Sequence, residues 1–275
     1  METRYLADQV RYQRMNTEEL RETFLLEDLF QPGKVVLYYT EADRGVVGSV
    51  VPLDKSHQLP AGKELAAQYF TERREIGVIN IGANGTVAVD GKSYHLKNRD
   101  GLYIGRGSEE ILFESEDNKS PAKYYLLSYP AHQAYSTKKI TKSDAEKVPL
   151  GSIELSNKRV IYKYIRPPII ESCQLVMGIT ELESGCVWNT MTPHTHERRT
   201  EIYMYFDLGD QLLFHFMGKP DQTRHLVVRD GQAVVSPSWS IHAGAGTKNY
   251  TFIWGMGGEN QEFGDMDGID MSGLK

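Results

Sequence analysis

Two short segments of the chain carry residue types and spacings that suit the binding of a divalent metal ion. The first contains His194 and His196, two residues apart, and Glu201 five residues further on. Residues two apart on an extended strand point to the same side of it, so both imidazoles share a face. A turn after His196 can return Glu201 to that face, and the second segment contributes His242. Three imidazole nitrogens and one carboxylate oxygen form a ligand set suited to a divalent transition ion.

A lone histidine in a strand is ordinarily a surface residue or a satisfied core residue. We give that interpretation to His95, His132 and His225. Two imidazoles on one face are different, because they repel each other when protonated and contribute little packing when neutral. Metal binding explains the spacing of His194 and His196 more simply.

Short strand patterns separated by turn signals occupy most of the chain after residue 35. Asp90 and Gly91 lie between two such runs and predict a tight hairpin. Before residue 35, Asn16 followed by Glu19 predicts the start of a capped helix. Apolar residues at helical spacing extend this pattern, namely Leu20, Phe24, Leu25 and Leu29.

The chain also repeats itself, which predicts two similar barrels in tandem. The motif at 72–76 resembles the one at 197–202, and Arg-Asp-Gly occurs at both 99–101 and 229–231. The first copy has Tyr69 and Thr71 where the second has the paired histidines, so we expect only the second to hold metal. We predict an N-terminal helical arm at 1–30, a metal-free barrel at 31–140 and a metal-binding barrel at 158–275. The polar, lysine-rich stretch 136–157 would link the barrels.

Composition excludes several function classes. The chain has 275 residues, 25% of them charged, with a formal net charge of −6 and no long basic tract, so nucleic acid is not an expected partner. Its two cysteines, Cys173 and Cys186, are too few for a disulfide scaffold, and we expect both in the core. No apolar run approaches the roughly 20 residues of a membrane span, and no signal peptide pattern opens the chain. We therefore expect a cytoplasmic protein without membrane contact.

The two metal-binding segments resemble the motifs of the cupin superfamily, in which a G-x5-H-x-H-x3-4-E motif precedes a proline-containing turn and a final histidine. Gly185 lies further from His194 than that pattern allows, which indicates a lengthened strand or loop. The resemblance implies an all-β fold of two tandem cupin-like β-barrels, a bicupin, with a short N-terminal helix. It makes metal ligands of His194, His196, Glu201 and His242.

A narrower resemblance covers nearly the whole chain, from about Leu20 to Asp267. The segments 194–199, 236–242, 72–82 and 252–256 are similar to those of the 5-keto-4-deoxyuronate isomerases. This implies a cytoplasmic hexamer with one zinc ion per subunit, iron or manganese remaining open. It also implies a uronate substrate from pectin breakdown, 5-dehydro-4-deoxy-D-glucuronate, which is isomerised to 3-deoxy-D-glycero-2,5-hexodiulosonate.

That reaction moves a proton between neighbouring carbons through an enediolate, which a metal ion could stabilise. Glu201 is a candidate base only if it leaves the metal, and alternation along the strand places Tyr203 on the same face as a candidate proton shuttle. The substrate carboxylate would pair with a cation, for which we name Arg199 and Lys248. An ordinary core tyrosine and solvated surface charges remain the alternatives.

Two other functions fit the same ligand set. Three histidines and a glutamate can bind Fe(II), so a cupin dioxygenase is the enzymatic alternative. A non-enzymatic bicupin that binds a sugar acid is the second.

Overall fold

The structure is a computed structural model that describes residues 1–259 and 261–275. It divides into two compact units, each drawn from more than one stretch of the chain. The first unit comprises Met1–Arg4, Leu29–Ala145 and Tyr164–Val176. The second comprises Tyr5–Asp28, Glu146–Lys163 and Met177–Lys275. The division into an arm and two barrels by function stays a prediction.

Strands dominate both units. In chain order they are β1 (Glu2–Arg4), β2 (Leu25–Leu26), β3 (Val35–Thr40), β4 (Val46–Val50), β5 (His57–Gln58), β6 (Arg74–Asn80), β7 (Gly85–Val89), β8 (Lys92–Leu96), β9 (Gly101–Ile104), β10 (Ile111–Ser115), β11 (Tyr124–Pro130), β12 (Lys138–Ile140), β13 (Glu146–Leu150), β14 (Arg159–Ile165), β15 (Val176–Leu182), β16 (Trp188–Asn189), β17 (His194–Thr195), β18 (Arg199–Phe206), β19 (Leu213–Lys219), β20 (Gln222–Val228), β21 (Ala233–Ser236), β22 (Ile241–Gly246), β23 (Thr251–Gly258) and β24 (Asp267–Gly268). The helices are α1 (Gln9–Tyr12) and α2 (Thr17–Phe24), with 3-10 turns at Ala42–Arg44, Lys63–Leu65 and Met271–Gly273.

The strand order confirms the internal repeat. In the first unit a seven-stranded sheet has the order β1-β3-β4-β11-β6-β9-β12, and a four-stranded sheet has the order β5-β10-β7-β8. The second copy has the orders β13-β14-β15-β23-β18-β21-β2 and β16-β22-β19-β20. The central runs β3-β4-β11-β6-β9 and β14-β15-β23-β18-β21 correspond strand for strand. The fold class is therefore the predicted one, two tandem cupin-like barrels with a short N-terminal helix.

In β7, a strand of the first unit, every second side chain packs into the core. In β7, Val87 and Val89 are buried while Thr86 and Ala88 are only partly so, as expected of a strand with one face on a core. The predicted hairpin follows, since Asp90 and Gly91 both have positive φ, 48° and 79°, which a tight two-residue turn requires.

The N-terminal helix is shorter than predicted. Asn16 and Glu19 form the expected capping box, but α2 ends at Phe24. Leu25 and Leu26 are extended and pair with Val234 and Ala233 of β21, so they add an edge strand to the large sheet of the second unit. Apolar spacing alone could not reveal this, because a leucine pair is equally buried by a helix face or by a strand.

The stretch predicted as a linker is also partly strand. It contains β12, which pairs with β9, and β13, which pairs with β14. Both lie at sheet edges, where charged residues such as Lys138 and Lys147 are common and apolar alternation is weak. Of the two free cysteines, Cys186 is buried as predicted, while Cys173 is only half-buried. In the described ranges, no helix is long and apolar enough to cross a membrane.

Candidate metal centre

Three strands of the second unit carry three of the predicted ligands, and His196 follows directly after β17. His194 begins β17, a turn follows, and Glu201 is the third residue of β18. All eight residues of β18 are buried, and the strand lies between β21 and β23, which fixes Glu201 opposite Ser236 and Met256. His242 is the second residue of β22; the second residue of the corresponding β10 is Leu112. The sheets thus position side chains that are separated along the chain.

The four side chains converge on one point. The Nε2 atom of His194 lies 3.2 Å from Nε2 of His196 and 3.0 Å from Nε2 of His242. Oε2 of Glu201 lies 2.9 Å from Nε2 of His196 and 2.8 Å from Nε2 of His242. One ligand atom from each residue lies within 4.8 Å of all the others. In the described part of the chain, this is the group of His, Cys, Asp and Glu side chains that could hold a metal ion.

The chemistry of these donors fits a cation. Imidazole nitrogens this close cannot all be protonated, because like charges and N–H groups would then face one another. Burial, followed by the neighbouring His242, lowers the pKa of His194 to about 3, so its ring is neutral near pH 7. Burial alone would raise the pKa of Glu201, but the two histidines beside it hold that pKa well below its usual value. Neutral imidazoles and an ionised carboxylate are the protonation states that bind metal.

Hydrogen-bond partners outside the ligand set orient two of the rings. The outer nitrogen of His242, Nδ1, lies 3.3 Å from the carbonyl oxygen of Ser240 and can donate to it. Nδ1 of His196 lies 3.4 Å from Oδ1 of Asp265, which also accepts a hydrogen bond from Nη2 of Arg199. Donation from Nδ1 leaves the lone pair of Nε2 facing the convergence point in both rings. Sequence analysis missed Asp265, because nothing in the local sequence links it to a histidine so far away along the chain.

A cavity of about 200 Å³ opens beside the four ligands. Tyr203 lines it, and its hydroxyl lies 3.0 Å from Oγ1 of Thr190. Arg159 also lines it and was not predicted from the sequence. The remaining wall is largely apolar and includes Leu150, Ile161, Phe252, Trp254, Met256, Phe263 and Met266. This combination of an apolar wall and a few polar groups is typical of a small-molecule site.

The two cations predicted to bind substrate lie elsewhere. Arg199 is 1% exposed, and its guanidinium contacts Asp265 and, at 3.2 Å, Nδ1 of His196. Lys248 is exposed, and neither residue lines the cavity. Their role in substrate binding stays a prediction. Nδ1 of His196 and Nη2 of Arg199 both donate toward Oδ1 of Asp265, so Arg199 positions His196 by holding Asp265.

A second polar cluster is buried in the same barrel. The Tyr205 hydroxyl lies 2.7 Å from Nδ1 of His215, and Nδ2 of Asn189 donates to the Tyr250 hydroxyl at 2.6 Å. Burial lowers the pKa of His215 to about 3 and raises the pKa of Tyr205 well above its usual value. All four side chains are therefore uncharged at neutral pH.

Comparison with known proteins agrees with this picture. The model of the KduI/IolB family matches residues 25–269. The chain is 52% identical over 276 residues to the 4-deoxy-L-threo-5-hexosulose-uronate ketol-isomerase of Lachnoclostridium phytofermentans, with 100% of both chains covered. It is 50% identical over 276 residues, again with 100% of both chains covered, to the protein of the same name from Caldicellulosiruptor bescii.

Among solved structures, an IolB-like protein from Salmonella typhimurium LT2 has a TM-score of 0.71 at 11% identity, with 90% of this chain and 96% of that chain covered. A likeness at this identity concerns the fold alone. The family match spans nearly the whole chain, including all four converging side chains, and the relatives match from end to end. The chain therefore belongs to the KduI/IolB family.

Proposed function

We propose that the protein is an aldose–ketose isomerase that converts 5-dehydro-4-deoxy-D-glucuronate into 3-deoxy-D-glycero-2,5-hexodiulosonate. The observation that carries the proposal is the convergence of His194, His196, Glu201 and His242 beside a small cavity. Relatives about half identical over their full length are named for this reaction. These four residues would hold one divalent ion, which we take to be zinc because the ligand set is nitrogen-rich and the reaction needs no redox change. When bound, such an ion supplies Lewis-acid stabilisation of negative charge developing on the substrate oxygens.

Tyr203 and Glu201 have different roles in the proton transfers of this reaction. Burial raises the pKa of Tyr203 well above its usual value, and the nearby Glu201 carboxylate raises it further. The phenol therefore stays protonated near neutral pH and acts as a hydrogen-bond and proton donor to a substrate oxygen. Of the cavity-lining residues that the structure describes, Glu201 carries the carboxylate, so it is the candidate base for the carbon-bound proton, on condition that it leaves the metal.

The remaining parts of the proposal come from the resemblance to the family. They are a cytoplasmic location, assembly as a homo-hexamer and a role in pectin breakdown. Size-exclusion chromatography coupled to light scattering checks the assembly, since a hexamer has six times the 31.2 kDa mass of one chain.

The activity is tested with purified protein that has been stripped of metal and reloaded with zinc, manganese or iron. We expect the zinc form to consume 5-dehydro-4-deoxy-D-glucuronate and His196→Ala to be inactive. His225→Ala is the matched control, because that histidine lies on β20 and does not line the cavity. Inactivity with all three metals would refute the isomerase, and oxygen consumption by the iron form would favour the dioxygenase.

A further inference from the structure

One cation faces the cavity beside the candidate metal centre. Arg159 is the first residue of β14 and lines the same cavity as His194, Glu201 and Tyr203. Among the cavity-lining residues in the described ranges, it alone has a lysine or arginine side chain. Any positive charge offered to a ligand by a long basic side chain in this cavity therefore comes from Arg159.

No acidic side chain in residues 1–259 and 261–275 compensates the charge of Arg159 with a salt bridge. Nη1 donates one hydrogen bond to the carbonyl oxygen of Asn157, at 2.9 Å. The two lysines nearest to it in the sequence are both paired: Lys158 lies 3.1 Å from Glu183, and Lys163 lies 3.0 Å from Glu146. A guanidinium has five N–H donors, and one of those on Arg159 has a hydrogen-bond partner among the described residues, which leaves the others available to a ligand.

The surroundings make an unpaired cation costly. Arg159 is only partly exposed, and burial lowers its pKa below the usual value. Much of the neighbouring wall is apolar, including Leu150, Ile161 and Trp254. A charge in such a setting is stabilised by an anion, and the planar guanidinium matches a carboxylate with two parallel hydrogen bonds.

We infer that Arg159 binds the carboxylate of the substrate and so orients it, with the reacting carbonyl end at His194, His196, Glu201 and His242. The inference rests on the proposed function, which supplies a substrate that has a carboxylate at one end. Arg159 takes the carboxylate-binding role that the sequence predicted for Arg199 and Lys248. The guanidinium of Arg199 already contacts Asp265, and Lys248 does not line the cavity. Arg159 is thereby the residue that selects a sugar acid over a neutral sugar.

The test compares the uronate with its neutral counterpart, in which a hydroxymethyl group replaces the carboxylate. In the zinc-loaded enzyme, Arg159→Gln is expected to raise KM for the uronate by about 10- to 100-fold, the usual loss for a charge-assisted hydrogen bond in a pocket. The preference for the uronate over the neutral sugar should fall by the same factor, while kcat/KM for the neutral sugar changes less than about twofold. Lys158→Gln is the control, because Lys158 is adjacent but exposed and paired with Glu183.

Arg159→Lys keeps the charge without the forked geometry, and we expect it to give an intermediate KM. This variant carries the test if Arg159→Gln does not fold. Equal losses on both substrates would show a structural role and overturn the inference, as would a preference lost in Lys248→Gln but kept in Arg159→Gln.

Binding measured by calorimetry separates this inference from the proposed function. Galacturonate and galactose are titrated into zinc-loaded wild type and Arg159→Gln. If wild type isomerises nothing, the proposed function fails. The assignment of Arg159 still stands if wild type prefers galacturonate and Arg159→Gln does not. It is overturned if wild type shows no such preference, or if the variant keeps it.

Discussion

Replacing Asp265 with alanine should weaken both the fold and the metal site, because this carboxylate joins Arg199 to His196. The Arg199 side chain is 0% exposed and that of Asp265 is 22% exposed. Nη2 of Arg199 donates to Asp265, while Nε and Nη1 have no hydrogen-bond partner among residues 1–259 and 261–275. Asp265→Ala therefore leaves a buried cation without its counter-charge.

The size of the effect follows from the burial of the pair. Removing one partner of a fully buried ion pair costs about 3–5 kcal/mol. Water reaches part of Asp265 and screens its charge, so we expect Asp265→Ala to lower the free energy of unfolding by about 2–3 kcal/mol. The alanine also cannot accept from Nδ1 of His196. Loss of such a ligand-orienting partner typically lowers metal affinity by about 10- to 100-fold.

Two measurements check these figures. Urea unfolding of the metal-free protein gives the stability change, and competition for zinc with a chromophoric chelator gives the affinity change. Asp265→Asn is the control that keeps an oxygen acceptor but loses the charge, and it should restore much of the zinc affinity. With Arg199→Met already present, Asp265→Ala should cost less than about 1 kcal/mol, because no cation remains to be stranded. An equal stability loss in both backgrounds, or unchanged zinc affinity, would refute the reasoning.

Other variants address the ligands, the proton donor and the core. Glu201→Gln removes the negative charge at nearly constant shape and should lower zinc affinity by at least about 100-fold, measured by the same chelator competition. Tyr203→Phe removes the buried phenol, so kcat should fall by about 10²- to 10⁴-fold at unchanged metal content, and an unchanged kcat would exclude it as the proton donor. The pKa of His215 is about 3 in the fold because burial disfavours its charged form, against 6.5 for the free side chain. The unfolded chain therefore takes up the proton first as the pH falls below about 6.5, and stability drops by about 2 kcal/mol at pH 5. This loss should be smaller in His215→Gln when urea midpoints at about pH 7.5 and pH 5 are compared. Gly218 has φ of +101°, and a Cβ there would collide with the Tyr12 hydroxyl, so Gly218→Ala should destabilise the second unit by about 2–4 kcal/mol in urea. An unchanged midpoint would contradict both the collision and the backbone strain.

The sequence by itself determined the features whose cause is local. His194 and His196 share a face because a strand has a period of two, and they do converge. The capping box of Asn16 and Glu19 and the Asp90-Gly91 turn also depend on a few adjacent residues.

Part of the repeat was visible because Arg74 and Arg199 open the corresponding strands β6 and β18. The Arg-Asp-Gly match is out of structural register, since Gln232 and not Asp230 takes the turn position of Asp100.

Only the tertiary structure decided which distant side chains complete the site. Asp265 reaches His196, and Arg159 reaches the cavity, through strand pairings that no local pattern encodes. Long-range pairing also decides the conformation of Leu25 and Leu26. They pair with β21 as a strand, although their spacing suits a helix. A local sequence pattern indicates which face of an element is buried. It does not indicate which distant residue packs against that face or pairs with its charge, because those contacts form only when the whole chain folds.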